Sequence, residues 1–155
     1  MKKRKIKKII CITNDPLFAH QHLYYILSYL TNSKGIEVFL VTNKESLEHY
    51  KIPEKVKFVS IPITRKPHLI KDFYSFIHLT KLIRKEKPEL MLSFTPKAGL
   101  LSMLVSKFFI STINIHTFTG QVWANMKGIK AKFYCLIDSL IAQNSTLCLA
   151  DSESQ

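Results

Sequence analysis

Short apolar runs alternate with segments of helical period along this chain, and that alternation decides most of what it can fold into. Ile9-Ile10-Cys11-Ile12 is continuously apolar, as a strand covered on both faces requires. Asn14-Asp15-Pro16 interrupts it, and from His20 to Thr31 the residues Leu23, Ile26, Leu27 and Leu30 recur at helical spacing. Asn32-Ser33-Lys34-Gly35 closes that helix, with Gly35 suited to the left-handed position after a helix C-terminus. Val38 to Val41 reads as a second strand, Lys44 to Tyr50 as a short helix, and Val56 to Ile61 as a third strand, ended by Pro62. Beyond the loop Thr64-Arg65-Lys66-Pro67-His68, the residues Leu69, Ile70, Phe73, Phe76, Ile77 and Ile83 mark one face of a helix ending near Glu86. Leu90-Met91-Leu92, Ile113 to Ile115 and Leu147 to Ala150 are further strands; Pro96 to Phe109 and Ile129 to Asn144 are the helices between them. The pattern predicts the α/β class: a doubly wound, mostly parallel sheet with helices on both faces.

A length of 155 residues fits one domain with a real core, and 46% hydrophobic against 22% charged residues is a globular balance. The formal net charge is +12, and basic surfaces meet nucleic acid, anionic lipid or acidic substrates. Lys2, Lys3, Arg4, Lys5, Lys7 and Lys8 carry much of the excess. A solvated terminus ahead of the first strand accounts for them. Contact with the anionic inner leaflet of a membrane is the functional alternative, at about 1 kcal/mol per basic residue. Ile9 to Ile12 is too short for the apolar core of a signal peptide. The apolar stretch from Ala98 to Ile115 is broken by Lys107 and several hydroxyl residues, so no transmembrane helix is expected. Cys11, Cys135 and Cys148 are odd in number and form no CxxC pair, and Cys11 and Cys148 lie inside apolar strand runs; they read as buried thiols in a reducing cytoplasm. His and Cys never cluster at ligand spacing, so no metal site is expected. Basic residues do not interleave with aromatics as in RNA-binding modules, so no nucleic-acid partner is expected either.

Ligands of open α/β sheets bind beyond the carboxyl ends of the strands, which here are Thr13 to His20, Ser93 to Lys97, His116 to Gln121, and Asp151 onward. In Thr95-Pro96-Lys97, Thr95 can cap a helix with its hydroxyl, Pro96 suits the first helical position, and Lys97 adds a cation. That helix start can hold an anionic group such as a phosphate, or it is ordinary capping beside a solvated lysine. His116-Thr117-Phe118-Thr119-Gly120-Gln121 is richer still. His116, at a strand end, donates or accepts near neutral pH, and Gly120 lets backbone approach a ligand; a core histidine and an ordinary turn is the alternative. Trp123, the sole tryptophan, reads as packing. Asp15 and His20 can touch a polar acceptor or serve as cap and surface residue. Their loop has no glycine and is neither a dinucleotide fingerprint nor a P-loop.

Three stretches together resemble the N-terminal half of family 4 glycosyltransferases, in the flavour of the bacterial enzymes that build capsule, O-antigen and related surface polysaccharides. They are Thr95-Pro96-Lys97-Ala98-Gly99-Leu100-Leu101, His116-Thr117-Phe118-Thr119-Gly120-Gln121-Val122-Trp123-Ala124, and Leu149-Ala150-Asp151-Ser152 with Ser154-Gln155. The resemblance implies one half of a GT-B architecture, two Rossmann-like domains across a cleft. Residues 1 to 155 would be the acceptor-side domain, with the donor-binding domain outside this chain. It implies retaining, metal-independent transfer from a nucleotide sugar, in all expectation a UDP-sugar, that this domain does not itself hold. The acceptor would be a lipid-linked saccharide, and the setting the cytoplasmic face of the plasma membrane, at an anionic surface. By the family pattern His116 sits near the transferred sugar as the catalytic group; Thr119, Gly120 and Gln121 line the cleft; and Lys97 faces a phosphate or the acceptor. Asp15, His20, Thr95 and Asp151 complete the expected binding residues. Ser93 and Glu89 depart from the family pattern, where many members carry His and Asp. A domain of this kind is expected to be inactive alone. Two other readings are a subunit of a split enzyme that docks a separate donor-domain chain, and a non-enzymatic flavodoxin-like binding module.

Overall fold

A computed structural model describes residues 5–44, 50–120 and 123–151. Six strands form one sheet: β1 (Lys8–Ile12), β2 (Glu37–Thr42), β3 (Lys57–Ser60), β4 (Leu90–Ser93), β5 (Ile113–Phe118) and β6 (Leu147–Ala150). Their order is β3-β2-β1-β4-β5-β6, and every neighbouring pair is parallel. The helices are α1 (Pro16–Phe18), which passes through a π turn (Ala19–Leu23) into α2 (Tyr24–Asn32), then α3 (Leu69–Glu86), α4 (Pro96–Ser106) and α5 (Ile129–Asn144). The short helix expected from Lys44 to Tyr50 falls largely outside the described residues. No helix among the described residues is long and apolar enough to cross a membrane.

Strand pleating divides the core in two, since successive side chains take opposite faces. Ile10, Ile12, Phe39, Val41 and Met91 pack with Leu79 and Ile83 of α3 and with Ala98, Leu101 and Val105 of α4. Ile9, Cys11, Val38 and Leu40 meet Ala19, Leu23 and Leu27 on the other side. Burial raises the Cys11 thiol to about 12, so this cysteine stays protonated and inert.

Several local features differ from the sequence expectation. Strand β5 runs on to Phe118 because Thr117 and Phe118 pair with Leu149 and Ala150 of β6, so His116 lies inside the strand rather than at its end. Helix α4 stops at Ser106 rather than near Phe109, and Phe108 and Phe109 bond back in turns. Most consequential, α3 buries only the later part of the face its apolar spacing indicated, where Phe76 and Ile83 reach the core. Ser75, Leu79 and Ile83 face the core, whereas Leu69, Ile70 and Phe73 are exposed at 91%, 79% and 66%. The helix is apolar on two sides, and the side with better continuity to Ile83 won. Ile26, expected on the buried face of the first helix, is exposed, and Cys135 and Cys148 are half-buried rather than buried. Gly35 takes the expected left-handed φ, 61°, after α2.

Candidate functional site

The strand order reverses direction between β1 and β4, so the loops leaving these two strands diverge and open a crevice at the carboxyl edge of the sheet. A cleft of about 800 Å3 lies there. Its floor is formed by Asn14, Asp15 and Phe18 after β1 and by Thr95, Pro96 and Lys97 after β4; Thr119 and Gly120 close one side, with Tyr134 of α5. Arg65, Lys66 and Pro67, from the loop ahead of α3, close the other.

The loops are tied to one another rather than left free. Asp15 caps α1, its Oδ1 accepting from the Leu17 N–H at 2.9 Å. Thr95 does not cap α4 as expected. It occupies the N-cap position with an extended backbone, but its hydroxyl accepts instead from the Asn14 N–H at 3.4 Å, across the crevice. Pro96 is at the helix start, as expected, and no side chain caps the helix. The positive end of an eleven-residue helix therefore meets the cleft without a side-chain acceptor. Thr119 donates from Oγ1 to the Phe94 carbonyl at 3.1 Å, which ties the loop after β5 to the loop after β4. Gly120 takes φ 131°, a conformation strained for any residue with a Cβ.

Lys97 is not the free cation its position suggested. Its Nζ lies 2.6 Å from Asp72 Oδ1 and donates to Thr64 Oγ1 at 2.9 Å and the Lys66 carbonyl at 2.6 Å. With its side chain only 13% exposed, the ammonium is spent on holding the β3–α3 loop against α4. Asp72 in turn accepts from the His68 N–H at 3.0 Å. The exposed cations of the cleft are Arg65 and Lys66, which their local sequence marks only as loop. The available signal was their place: a basic pair just past a strand, at the edge where such sheets bind ligands.

His116 is 1% exposed and does not line the cleft. It lies one layer beneath, with Nδ1 2.9 Å from Ser93 Oγ and its ring edge-on to Phe118 at 4.6 Å. Helix α4 rests directly on the imidazole. A Cβ on Gly99 would stand 2.5 Å from His116 Cε1 and 2.7 Å from Nδ1, so only glycine lets the helix come this close. Burial, opposed by the bond to Ser93, lowers the His116 pKa to about 4, so the ring is neutral at pH 7. Its Nε2 is buried without a hydrogen-bond partner.

The remaining expected residues scatter. His20 sits on the π turn, with Nδ1 3.2 Å from the Lys51 carbonyl and its ring against Tyr50, and does not line the cleft. Asp151 is exposed just past β6 and does not line it either. Gln121 lies outside the described residues. Trp123 is half-buried, and its Nε1 donates to Asp138 Oδ2 of α5 at 2.8 Å. Burial holds the Asp138 carboxyl above the usual carboxylate range, against that hydrogen bond.

An all-parallel sheet of order 3-2-1-4-5-6 with a crevice at its switch point is a Rossmann-like fold, and solved structures of GT-B architecture share it. UDP-N-acetylglucosamine 2-epimerase from Rickettsia bellii superposes with a TM-score of 0.70 at 14% identity, over 97% of this chain and 40% of that one. Sucrose-phosphate synthase from Thermosynechococcus elongatus does so with 0.69 at 14% identity, over 92% and 41%. At such identities the likeness is one of fold. The sequence goes further: residues 10–144 match the glycosyl transferase 4-like family model, and the chain belongs to that family. It is 29% identical, over 99% of its length, to the capsular polysaccharide biosynthesis glycosyltransferase CapM of Staphylococcus aureus, of which it spans 39%.

Proposed function

We propose that this chain is the acceptor-side domain of a glycosyltransferase that builds capsule or a related surface polysaccharide. Its acceptor would be a polyprenyl-diphosphate-linked saccharide at the inner face of the plasma membrane. The observation that carries this is the cleft at the β1–β4 switch point. There the uncapped start of α4 and the exposed cations Arg65 and Lys66 bound one space of about 800 Å3, a setting suited to a diphosphate. The similarity to CapM supports the polymer class.

In this reading the cleft holds the acceptor, while a donor domain holds a nucleotide sugar, with UDP as the nucleotide. Transfer is retaining and metal-independent: the bond from the sugar C1 to the phosphate oxygen breaks, a bond from C1 to the acceptor hydroxyl oxygen forms, and the hydroxyl proton goes to the departing phosphate. His116 then acts from beneath. As a neutral ring it sets the height of α4 over the crevice and offers Nε2 as an unspent polar atom close to Gly99. A donor half supplied by a second chain is the other arrangement, and the exposed Leu147 and Leu149 on β6 favour a covered flank in either case. Catalysis needs donor and acceptor held together, so the 155-residue chain alone is expected to transfer nothing.

The test joins this chain to the donor-side portion of the S. aureus relative and measures transfer of labelled sugar from UDP-sugars to lipid-linked acceptor. Transfer by the fusion, with none by either half, is expected. Turnover by the 155-residue chain alone would overturn the reading.

A further inference from the structure

The exposed face of α3 is the feature the cleft does not explain. Leu69, Ile70, Phe73 and Tyr74, exposed at 91%, 79%, 66% and 49%, form a contiguous apolar patch on the first turns of the helix. Single exposed apolar residues are ordinary on protein surfaces; four adjacent large ones are not. Around and below them every outward charge is positive. Arg65, Lys66 and Lys71 flank the patch, and Lys81 and Arg84 continue the exposed side of the helix. The two acidic residues of α3 are turned away into ion pairs, Asp72 with Lys97 at 2.6 Å and Glu86 with Lys8 at 2.8 Å. A patch of bulky apolar groups set in cations, without an unpaired acid, complements an anionic lipid surface: apolar groups enter the acyl boundary while ammonium and guanidinium groups stay among the phosphates.

Position strengthens the point. In a parallel sheet the helices run back antiparallel to the strands, so the start of α3 lies at the carboxyl edge, where Arg65, Lys66 and Pro67 also line the cleft. Lys5 and Lys7, just ahead of β1, lie at the other edge, and a bilayer docked there would have the cleft turned away from it. We propose that the outer face of α3, with the loop before it, is the surface by which this chain lies on an anionic bilayer, with the cleft mouth at the lipid headgroups. This gives the membrane-borne acceptor of the proposed function a route into the cleft, yet it is measured without sugar or nucleotide, so the two readings fail separately.

The experiment is co-sedimentation of the 155-residue chain with vesicles of phosphatidylcholine alone or mixed with phosphatidylglycerol, at low and high salt. Three variants are compared: Leu69→Ser/Ile70→Ser/Phe73→Ser, Lys71→Gln/Lys81→Gln/Arg84→Gln, and Lys5→Gln/Lys7→Gln. All these residues are exposed, so thermal unfolding should match the parent and verifies folding. The parent is expected to bind only the anionic vesicles and to weaken with salt. The first variant should lose at least tenfold in partition. The second should lose about a hundredfold, at about fivefold per basic residue (about 1 kcal/mol each). The third should stay within tenfold. The proposal is overturned if the parent binds no vesicle, or if only the third variant loses binding. It is equally overturned if the patch instead drives self-association, seen as a concentration-dependent dimer in sedimentation that the first variant abolishes while vesicle binding persists.

Discussion

The centre of the sheet and its β5–β6 flank are built from the same kind of sequence and end up in opposite states. At the centre, β1 and β2 are buried on both faces, and α4 buries Ala98, Gly99, Leu101, Ser102, Met103 and Val105. At the flank, none of the four residues of β6 is buried, and α5 buries Ile141 alone. Ile129, Phe133, Leu136 and Leu140 follow one another at helical spacing on α5 and stand exposed. The register pairs Ile115 with Leu147, so these share the face that α1 and α2 cover elsewhere, and Leu147 is 51% exposed. Apolar periodicity thus announces that a face is fit to be covered without saying by what. Within the described residues the centre is covered on both faces, and the flank leaves its apolar residues exposed.

The contrast is sharpest in its energetics. Leu79→Ala opens a cavity at a fully buried position and should lower stability by about 2–5 kcal/mol in urea unfolding. A loss under 1 kcal/mol would mean that the centre is looser than described. Acid should act on the same region. The folded pKa of His116, about 4, lies below its unfolded value, so the unfolded chain binds the extra proton between them. Stability is full above about pH 6.5 and falls as pH drops toward 4, by about 3 kcal/mol at most from this group. The His116→Gln variant should lack that component; an identical acid slope in parent and variant would show that the ring is not buried neutral.

Gly99→Ala places a methyl against the imidazole and should cost about 1–3 kcal/mol as α4 is pushed from its seat. Acceptor binding by the cleft should weaken with it. At the other extreme, Leu147→Ser and Leu149→Ser should each change the stability of this chain by less than about 0.5 kcal/mol. The same changes should disrupt assembly with a donor domain. A large loss in the chain by itself would show that the flank is already packed.

Much of the fold was legible because its signals are local. The apolar runs marked β1, β2, β4 and β6, the Pro96 start marked α4, and Gly35 marked the end of α2. What was not legible depends on partners remote in sequence. Nothing near Lys97 announces Asp72 and Thr64, which consume its charge. Nothing near His116 announces that Gly99 will seat a helix on its ring, nor that β6 will extend β5 past it. For α3 the local signal itself was ambiguous, because apolar residues occupy two sides of the helix and only the tertiary contacts of Leu79 and Ile83 choose between them. The strand-end rule pointed to the edge where the cleft lies but not to the cations that line it: Lys97 braces the wall, and Arg65 and Lys66 face the cleft.

The central claim is that this chain forms the acceptor wall of a sugar-transfer site. It is tested most directly by calorimetric titration of the 155-residue chain with a short-chain polyprenyl-diphosphate-linked saccharide and, separately, with UDP. The account predicts saturable binding of the saccharide, weakened at least tenfold by Arg65→Ala/Lys66→Ala, and no saturable binding of UDP. Micromolar affinity for UDP, with no response to the lipid-linked saccharide, would contradict it.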